Sequence, residues 1–285
     1  MDPKAYLDRY TYLKFTSPLN SQVYDTPVTG YGSGWGGRWQ TNSGNGSEPN
    51  RGPECQREYA LLRDAMRVAH HGNANTPCGP NFMFSETPLG DIAPHEEFYS
   101  KGFIQVFCGK GSPDEMIDTL RIAHAVGRIG LGRDLNGKAA AKATPAEYVK
   151  YFFTLDCNGL VGNFYGGNPS ASIDAYCVPG RRRRTAAEVQ LGDCIVTHSS
   201  TAHYEHIGLV AGWQMNGDSN VTLKVAEWGW YGAETAHYRE HTVPIVQGPD
   251  KRYGVGWKSK SNKDGKDSFR YIFAPPAGAT PYGWS

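Results

Sequence analysis

The sequence predicts an α+β fold, and three observations carry the prediction. Helical spacing governs the runs QREYALLRDAMRVAHH and MIDTLRIAHAVGRIG in the first half of the chain. Beyond Gly192, short β-rich runs alternate with clusters of Gly, Asn, Asp and Ser. The two textures follow one another instead of interleaving, which is the pattern of helices set apart from an antiparallel sheet. With 285 residues and 39% apolar content, the chain can bury one main core with a smaller appendage.

Each element has its own signal. GYGSGWGGRWQTNSGNGSEPNRGPE, from Gly30 to Glu54, favours turns and irregular loops. From Cys55 onward Leu61, Leu62, Ala65, Met66 and Ala69 fall on one face of a helix. IQVFCGKGSPDEM reads as a short strand, a turn and a helix start, with Ser112 at the N-cap, Pro113 in the first turn and Glu115 completing a capping box. That helix is expected to stop at Gly130 or Gly132. Thr144 and Pro145 open a further helix, AEYVKYFF. DCIVT, EHIGLVAGW, NVTLKVAEWGW, AHYREHTVPIV and SFRYIFA are the strands, and there is no internal repeat.

Composition narrows the function. A net charge of +1 gives no nucleic-acid footprint. The one basic run, Arg181 to Arg184, reads either as a solvated loop or as a patch for acidic substrate groups, with Arg184 the residue assigned to substrate carboxylates. No apolar run reaches the length of a membrane span, and MDPKAYLDRYTYLKF lacks the basic start and apolar middle of a secretory signal, so a soluble chain made in the cytoplasm is expected. The six cysteines, Cys55, Cys78, Cys108, Cys157, Cys177 and Cys194, contain no CxxC pair, which favours a reduced compartment. A single bridge among Cys55, Cys78 and Cys108 stays open.

LDCNGLVGNFYGG carries the chemistry. Read as a helix opening near Asp156, it puts Cys157, Leu160, Val161 and Phe164 on one face, with the sulfur at the positive end of the helix dipole, where thiolate is favoured over thiol. Taken alone, a cysteine reads as a small buried hydrophobe. A nucleophile needs a base, and in EHIGLVAGW the alternation puts His206, Gly208, Val210 and Gly212 on one face of a strand. Asn216-Gly217 signals a two-residue hairpin turn, which would set His206 directly opposite Glu227. Glu227 also shares its face with Val221, Leu223 and Val225, and a carboxylate ending an apolar face needs a partner. Cys157, His206 and Glu227 therefore form a candidate nucleophile, general base and orienting acid.

At these residues the chain resembles the NlpC/P60 family of papain-like cysteine peptidases. DCNGLV is similar to that family's DCSGLV motif, with Asn158 in place of serine; RTAAEVQLGDCIV resembles the segment leading to its GDLVFF-type strand; HIGLV resembles its HVGIY-type motif; and MIDTLRIAHAVGRIG resembles its opening helix. The resemblance covers residues 113–285 and implies a papain-like NlpC/P60 fold, with the nucleophile helix packed on an antiparallel β-sheet. Residues 1–112 are then an N-terminal accessory region, and 131–147 an insertion. It further implies a cysteine peptidase hydrolysing peptide bonds of bacterial peptidoglycan stem peptides, often next to γ-D-glutamyl residues, with Cys157 as nucleophile, His206 as base and Glu227 at the third polar position. Tyr148 stands where the family has the tyrosine of its YVWGG-type motif, and Asp156 opens the nucleophile motif; both are substrate-binding candidates. The alternative activities are an amidase or acyltransferase on the same scaffold, or an inactive cell-wall-binding module.

The resemblance implies no cofactor. It allows delivery as a phage-type lysin or as an antibacterial effector injected by a secretion machine, with that machinery and an inhibitor or immunity protein as partners. His198, His203 and His206 lie close in HSSTAHYEH but lack a recognisable zinc spacing, so no metal is assigned. GLGRDLNGK lacks the ending of a phosphate loop. Trp228, Trp230 and Tyr231 either line a substrate groove or pack as ordinary aromatics, with Trp228 the binding candidate. Cys194 reads as core, and Cys177, in DAYCVPG, as a loop cysteine.

Overall fold

The computed structural model describes residues 1–17, 19–32, 52–71, 83–84, 87–88, 103–130, 139–198, 204–231, 234–247, 253–260 and 267–279. The chain is α+β, with its helices mostly before Tyr165 and its long strands after Gly192. It divides into two compact units: Met1–Asp8 with Cys157–Ser285, and Arg9–Asp156. The resemblance set its boundary at 112/113; chain contacts divide at Asp156/Cys157. No helix among the described residues is long and apolar enough to cross a membrane.

The Arg9–Asp156 unit is built mainly from helices, and local signals explain most of them. After α1 (Pro3–Thr11), which begins in the other unit, come the hairpin β1 (Lys14–Thr16) and β2 (Val23–Asp25), the short β3 (Gly30–Tyr31), and α2 (Gly52–His71). The pair β4 (Met83–Phe84) and β5 (Thr87–Pro88) precedes α3 (Phe103–Phe107), α4 (Pro113–Ala125) and α5 (Pro145–Phe152), and β6 (Thr154–Leu155) pairs in parallel with β3. The expected capping box at Ser112 is present, with Ser112 Oγ accepting from the Glu115 N–H at 3.3 Å and Glu115 Oε2 accepting from the Ser112 N–H at 2.6 Å; Thr144, expected to open α5, forms a second box with Glu147.

Two expectations in this unit need correction. The IQVF run is helical, as α3, and not a strand; five residues without period-two alternation give sequence reasoning little to separate the two. The helix α4 ends at Ala125, short of Gly130, because Gly127 already supplies the left-handed φ of +79° that terminates a helix. The side chains of Met66 and Ala69, residues 33–51, the 131–138 segment and Cys78 lie outside the described residues.

The other unit is a barrel with a helix on it. The helix α6 (Cys157–Phe164) is followed by β7 (Cys194–His198), β8 (Tyr204–Asn216), β9 (Asn220–Tyr231), β10 (Glu234–Gln247), β11 (Tyr253–Lys260) and β12 (Asp267–Phe273). The six strands close in the order β10-β11-β12-β7-β8-β9, every pair antiparallel, and closure leaves no open edge. The five strands read from sequence are all present; β11, with glycine at two of its first four positions, gave no comparable signal. Ile195, Val210, Val221, Leu223, Val225, Val243 and Ile272 form one buried apolar cluster. The helix α6 packs on β8 and β9 and is buried on nearly every side, so its apolar periodicity does not by itself single out Cys157.

The β8–β9 hairpin corrects the expected register. Asn216 pairs with Asn220 across a three-residue loop, 217–219, in place of a two-residue turn at Asn216-Gly217. A bulge between Val210 and Gly212 then moves the pairing back by one, so that Leu209 pairs with Ala226 and not with Lys224. The net slip is two residues. Because side chains alternate with period two, an even slip leaves every residue on its expected face.

Candidate active site

One face of the barrel strands changes character along its length. It carries the apolar cluster through Val221, Leu223 and Val225 on β9, Val210 on β8 and Ile272 on β12. Continuing by steps of two, the same face presents Glu227, His206 and Arg270, and His237 joins them as the direct partner of Glu227 on β10. A polar layer therefore sits at one end of the apolar cluster.

Within that layer His206 Nε2 lies 2.9 Å from Glu227 Oε2, the carboxylate side chain being 3% exposed and the imidazole 15%. The expected pairing is thus present although the expected register is not. The continued β8–β9 register sets Gly208, not His206, beside Glu227, and a Cβ built on Gly208 would lie 3.0 Å from Glu227 Cβ. The missing side chain leaves room for the carboxylate to lean two residues along the strand, a diagonal of about 7–8 Å between backbones that these two side chains span.

Electrostatics fix the charge state of the acid. Burial alone would raise Glu227, but the hydrogen bond from His206, the Arg270 guanidinium, and the further charges of His206 and His237 overcome it and hold the carboxyl at about 2. Arg270 Nη1 is 3.5 Å from the same Oε2, with its side chain only 6% exposed. Neither Arg270 nor His237 was read as part of the site. The signal was available: alternation puts Arg270 two residues before the core residue Ile272, and a charged residue on a core face asks for a partner.

Cys157 is the first residue of α6, the helix packed on the strands that hold His206 and Glu227, and it is 6% exposed. Cys108, Cys177 and Cys194 are held as thiols. Burial pushes Cys108 up to about 11 despite Lys110, Cys194 up to about 12, and Cys177 well up. Cys194 is core, as expected; Cys177 is buried too, its Sγ 3.3 Å from the Ile173 carbonyl oxygen, so the expected loop exposure is absent.

Trp228, one residue past Glu227, points to the opposite face and is fully buried, which removes it as a groove wall; tight packing won over exposure. Tyr148 is likewise fully buried, inside the Arg9–Asp156 unit. Its hydroxyl donates to Glu58 Oε1 at 3.0 Å, where Arg128 also binds both Glu58 oxygens. Burial and then Glu58 raise the Tyr148 phenol well above its usual range. Asp156 is buried and ion-paired with Lys110.

The basic run is not a solvated patch. Arg181 donates to the Ala175 carbonyl, buried Arg182 stacks 3.6 Å over the Tyr271 ring, and Arg183 forms two bonds to Asp193, which is fully buried. Arg184 alone is exposed, its backbone N–H bound to Glu188. The side chains of His198, Trp230 and Tyr231, and all of His203, lie outside the described residues. Among the described residues no group of three or more His, Cys, Asp or Glu is placed to hold a metal ion.

Comparison with protein-family models, with curated proteins and with solved structures finds no match to this chain.

Proposed function

We propose that this chain is a cysteine hydrolase of peptide bonds with a papain-like arrangement of Cys157, His206 and Glu227, acting on the stem peptides of bacterial cell wall. The observation that carries the reading is the 2.9 Å contact between His206 Nε2 and a buried, ionised Glu227, on the two strands against which the Cys157 helix packs. With Nε2 held by the acid, Nδ1 is the nitrogen that exchanges protons with the Cys157 sulfur. The substrate class rests on the resemblance of DCNGLV and HIGLV to the NlpC/P60 motifs.

The chemistry follows in two halves. His206 takes the thiol proton as the Cys157 sulfur bonds to the substrate carbonyl, and the Cys157 backbone N–H, among the first of the helix, is aimed at the developing oxyanion. The C–N bond breaks and the amine leaves with the proton from His206. Water then attacks the thioester while giving a proton to His206, the S–C bond breaks, and the returned proton restores the thiol. Glu227 keeps the ring oriented and stabilises its charged form.

The test is incubation of the full chain with purified cell-wall peptides, read by mass spectrometry. New amine and carboxylate ends that appear with the wild type and not with Cys157→Ala are the expected result. Products joined to an added amine acceptor would assign an acyltransferase instead, and unchanged peptides would overturn the reading.

A further inference from the structure

The candidate triad accounts for His206 and Glu227 in the polar layer and leaves Arg270 unexplained. Its placement is specific. Arg270 on β12 pairs with Thr197 on β7, and Thr197 pairs with His206 on β8, so Arg270 and His206 stand on one rung of the barrel with Thr197 between them. Glu227, on β9, comes from the strand diametrically across in the closed order. Both side chains converge on a single oxygen: Glu227 Oε2 meets His206 Nε2 at 2.9 Å and Arg270 Nη1 at 3.5 Å.

A carboxylate 3% exposed is costly when ionised unless positive charge compensates it, and His206 cannot supply that charge throughout a cycle in which it gains and loses a proton. Arg270 can, because a guanidinium stays charged at every working pH. We propose that Arg270 is a positioning residue that keeps Glu227 an anion aimed at His206 in both protonation states of the imidazole, so that the working unit is a chain of four side chains: Arg270, Glu227, His206 and Cys157. The proposal rests on the reading of Cys157, His206 and Glu227 as the catalytic groups.

The surroundings give the direction of its effect. The charged or titratable groups on the same face around the pair are His237, Arg239 and His241 on β10 and Arg270 on β12. Burial, and then Arg270, lower His241, so the guanidinium field already acts on a neighbouring imidazole. Replacing Arg270 by a neutral group removes a cation from beside His206 and strips Glu227 of its permanent partner. Loss of the cation favours the imidazolium and raises the pH at which His206 loses its proton.

The test titrates His206 by NMR in the full chain for wild type, Arg270→Lys and Arg270→Gln, alongside the pH dependence of kcat/KM. The expected order of His206 midpoints is wild type, then Arg270→Lys, then Arg270→Gln at the highest pH, displaced by about one unit, with the acid limb of kcat/KM following it. If only Arg270→Lys folds, an upward displacement from wild type is still expected. A midpoint unmoved in a folded variant, even one with a lowered melting temperature, makes Arg270 a purely structural counter-charge and overturns the proposal. Because the titration needs no turnover, a displaced midpoint in a protein inert toward cell-wall peptides would count against the hydrolase and not against Arg270.

Discussion

Gly208 stands beside Glu227, so close that a Cβ at 208 would lie 3.0 Å from Glu227 Cβ and 3.2 Å from the Ala226 carbonyl oxygen. The glycine is thereby tied to the chemistry two residues away, since the acid reaches His206 across the space that a side chain at 208 would fill. Gly208→Ala is expected to crowd this spot and cost about 1–3 kcal/mol of stability. Its kcat/KM should fall further than that loss of folded protein explains. Chemical denaturation together with kinetics on the folded fraction checks this; a fully active Gly208→Ala protein would mean the acid has other room.

The carboxyl of Glu227 gives the fold a pH signature. Its folded value, about 2, is below the ordinary 4.5, so it stabilises the native state fully above the unfolded value, and that stability drains away as pH falls from about 4.5 to about 2. Glu227→Gln lacks this term. Urea midpoints for the two proteins should differ at pH 7 and converge towards pH 2; a gap that stays constant across the range would contradict the ionised, paired state. At neutral pH the same variant should lose about 10²–10⁴-fold in kcat/KM through the weakened base.

Cys157→Ala should reduce hydrolysis to background while leaving the far-ultraviolet circular dichroism unchanged, because the position fills little volume. Cys194→Ala, at an equally buried thiol held at about 12, should cost about 1 kcal/mol or more in stability and leave kcat intact in the folded fraction. Activity assays beside melting curves separate these roles, and equal kinetic losses in both variants would remove the special status of Cys157.

The four consecutive arginines should behave very differently from one another. Asp193 is fully buried and accepts two bonds from Arg183 and one from the Gln190 N–H, so Asp193→Ala leaves a partly buried guanidinium uncompensated and should cost about 3–5 kcal/mol. Exposed Arg184 should tolerate alanine to within about 0.5 kcal/mol. Its affinity for acidic peptides should also be unchanged if the run is structural; thermal melts and peptide titrations test the two halves.

Local signals were legible wherever the physics is local. The capping boxes at Ser112 and Thr144 depend on residues three apart, and their helices begin where the sequence says. Alternation marked the five strands it was read from, and it put His206 and Glu227 on one face. Alternation does not fix pairing, however: the 217–219 loop and the bulge near Val210 each moved the register, and the His206–Glu227 contact survived because the two shifts sum to an even number. Trp228 and Tyr148 show the opposite case, aromatic residues suited to a groove that long-range packing buried completely.

The α+β character, the helix starts and the candidate thiol, imidazole and carboxylate groups are readable from short stretches of chain, because propensity, capping and side-chain period act over a few neighbouring residues. The contact of Glu227 with His206 past Gly208, the closure of the sheet into a barrel and the approach of Arg270 from its far wall emerge on folding. Those outcomes depend on strand order and register, which are set by loop lengths, bulges and packing among segments far apart in the chain, as Arg270 and His206 are at 64 positions.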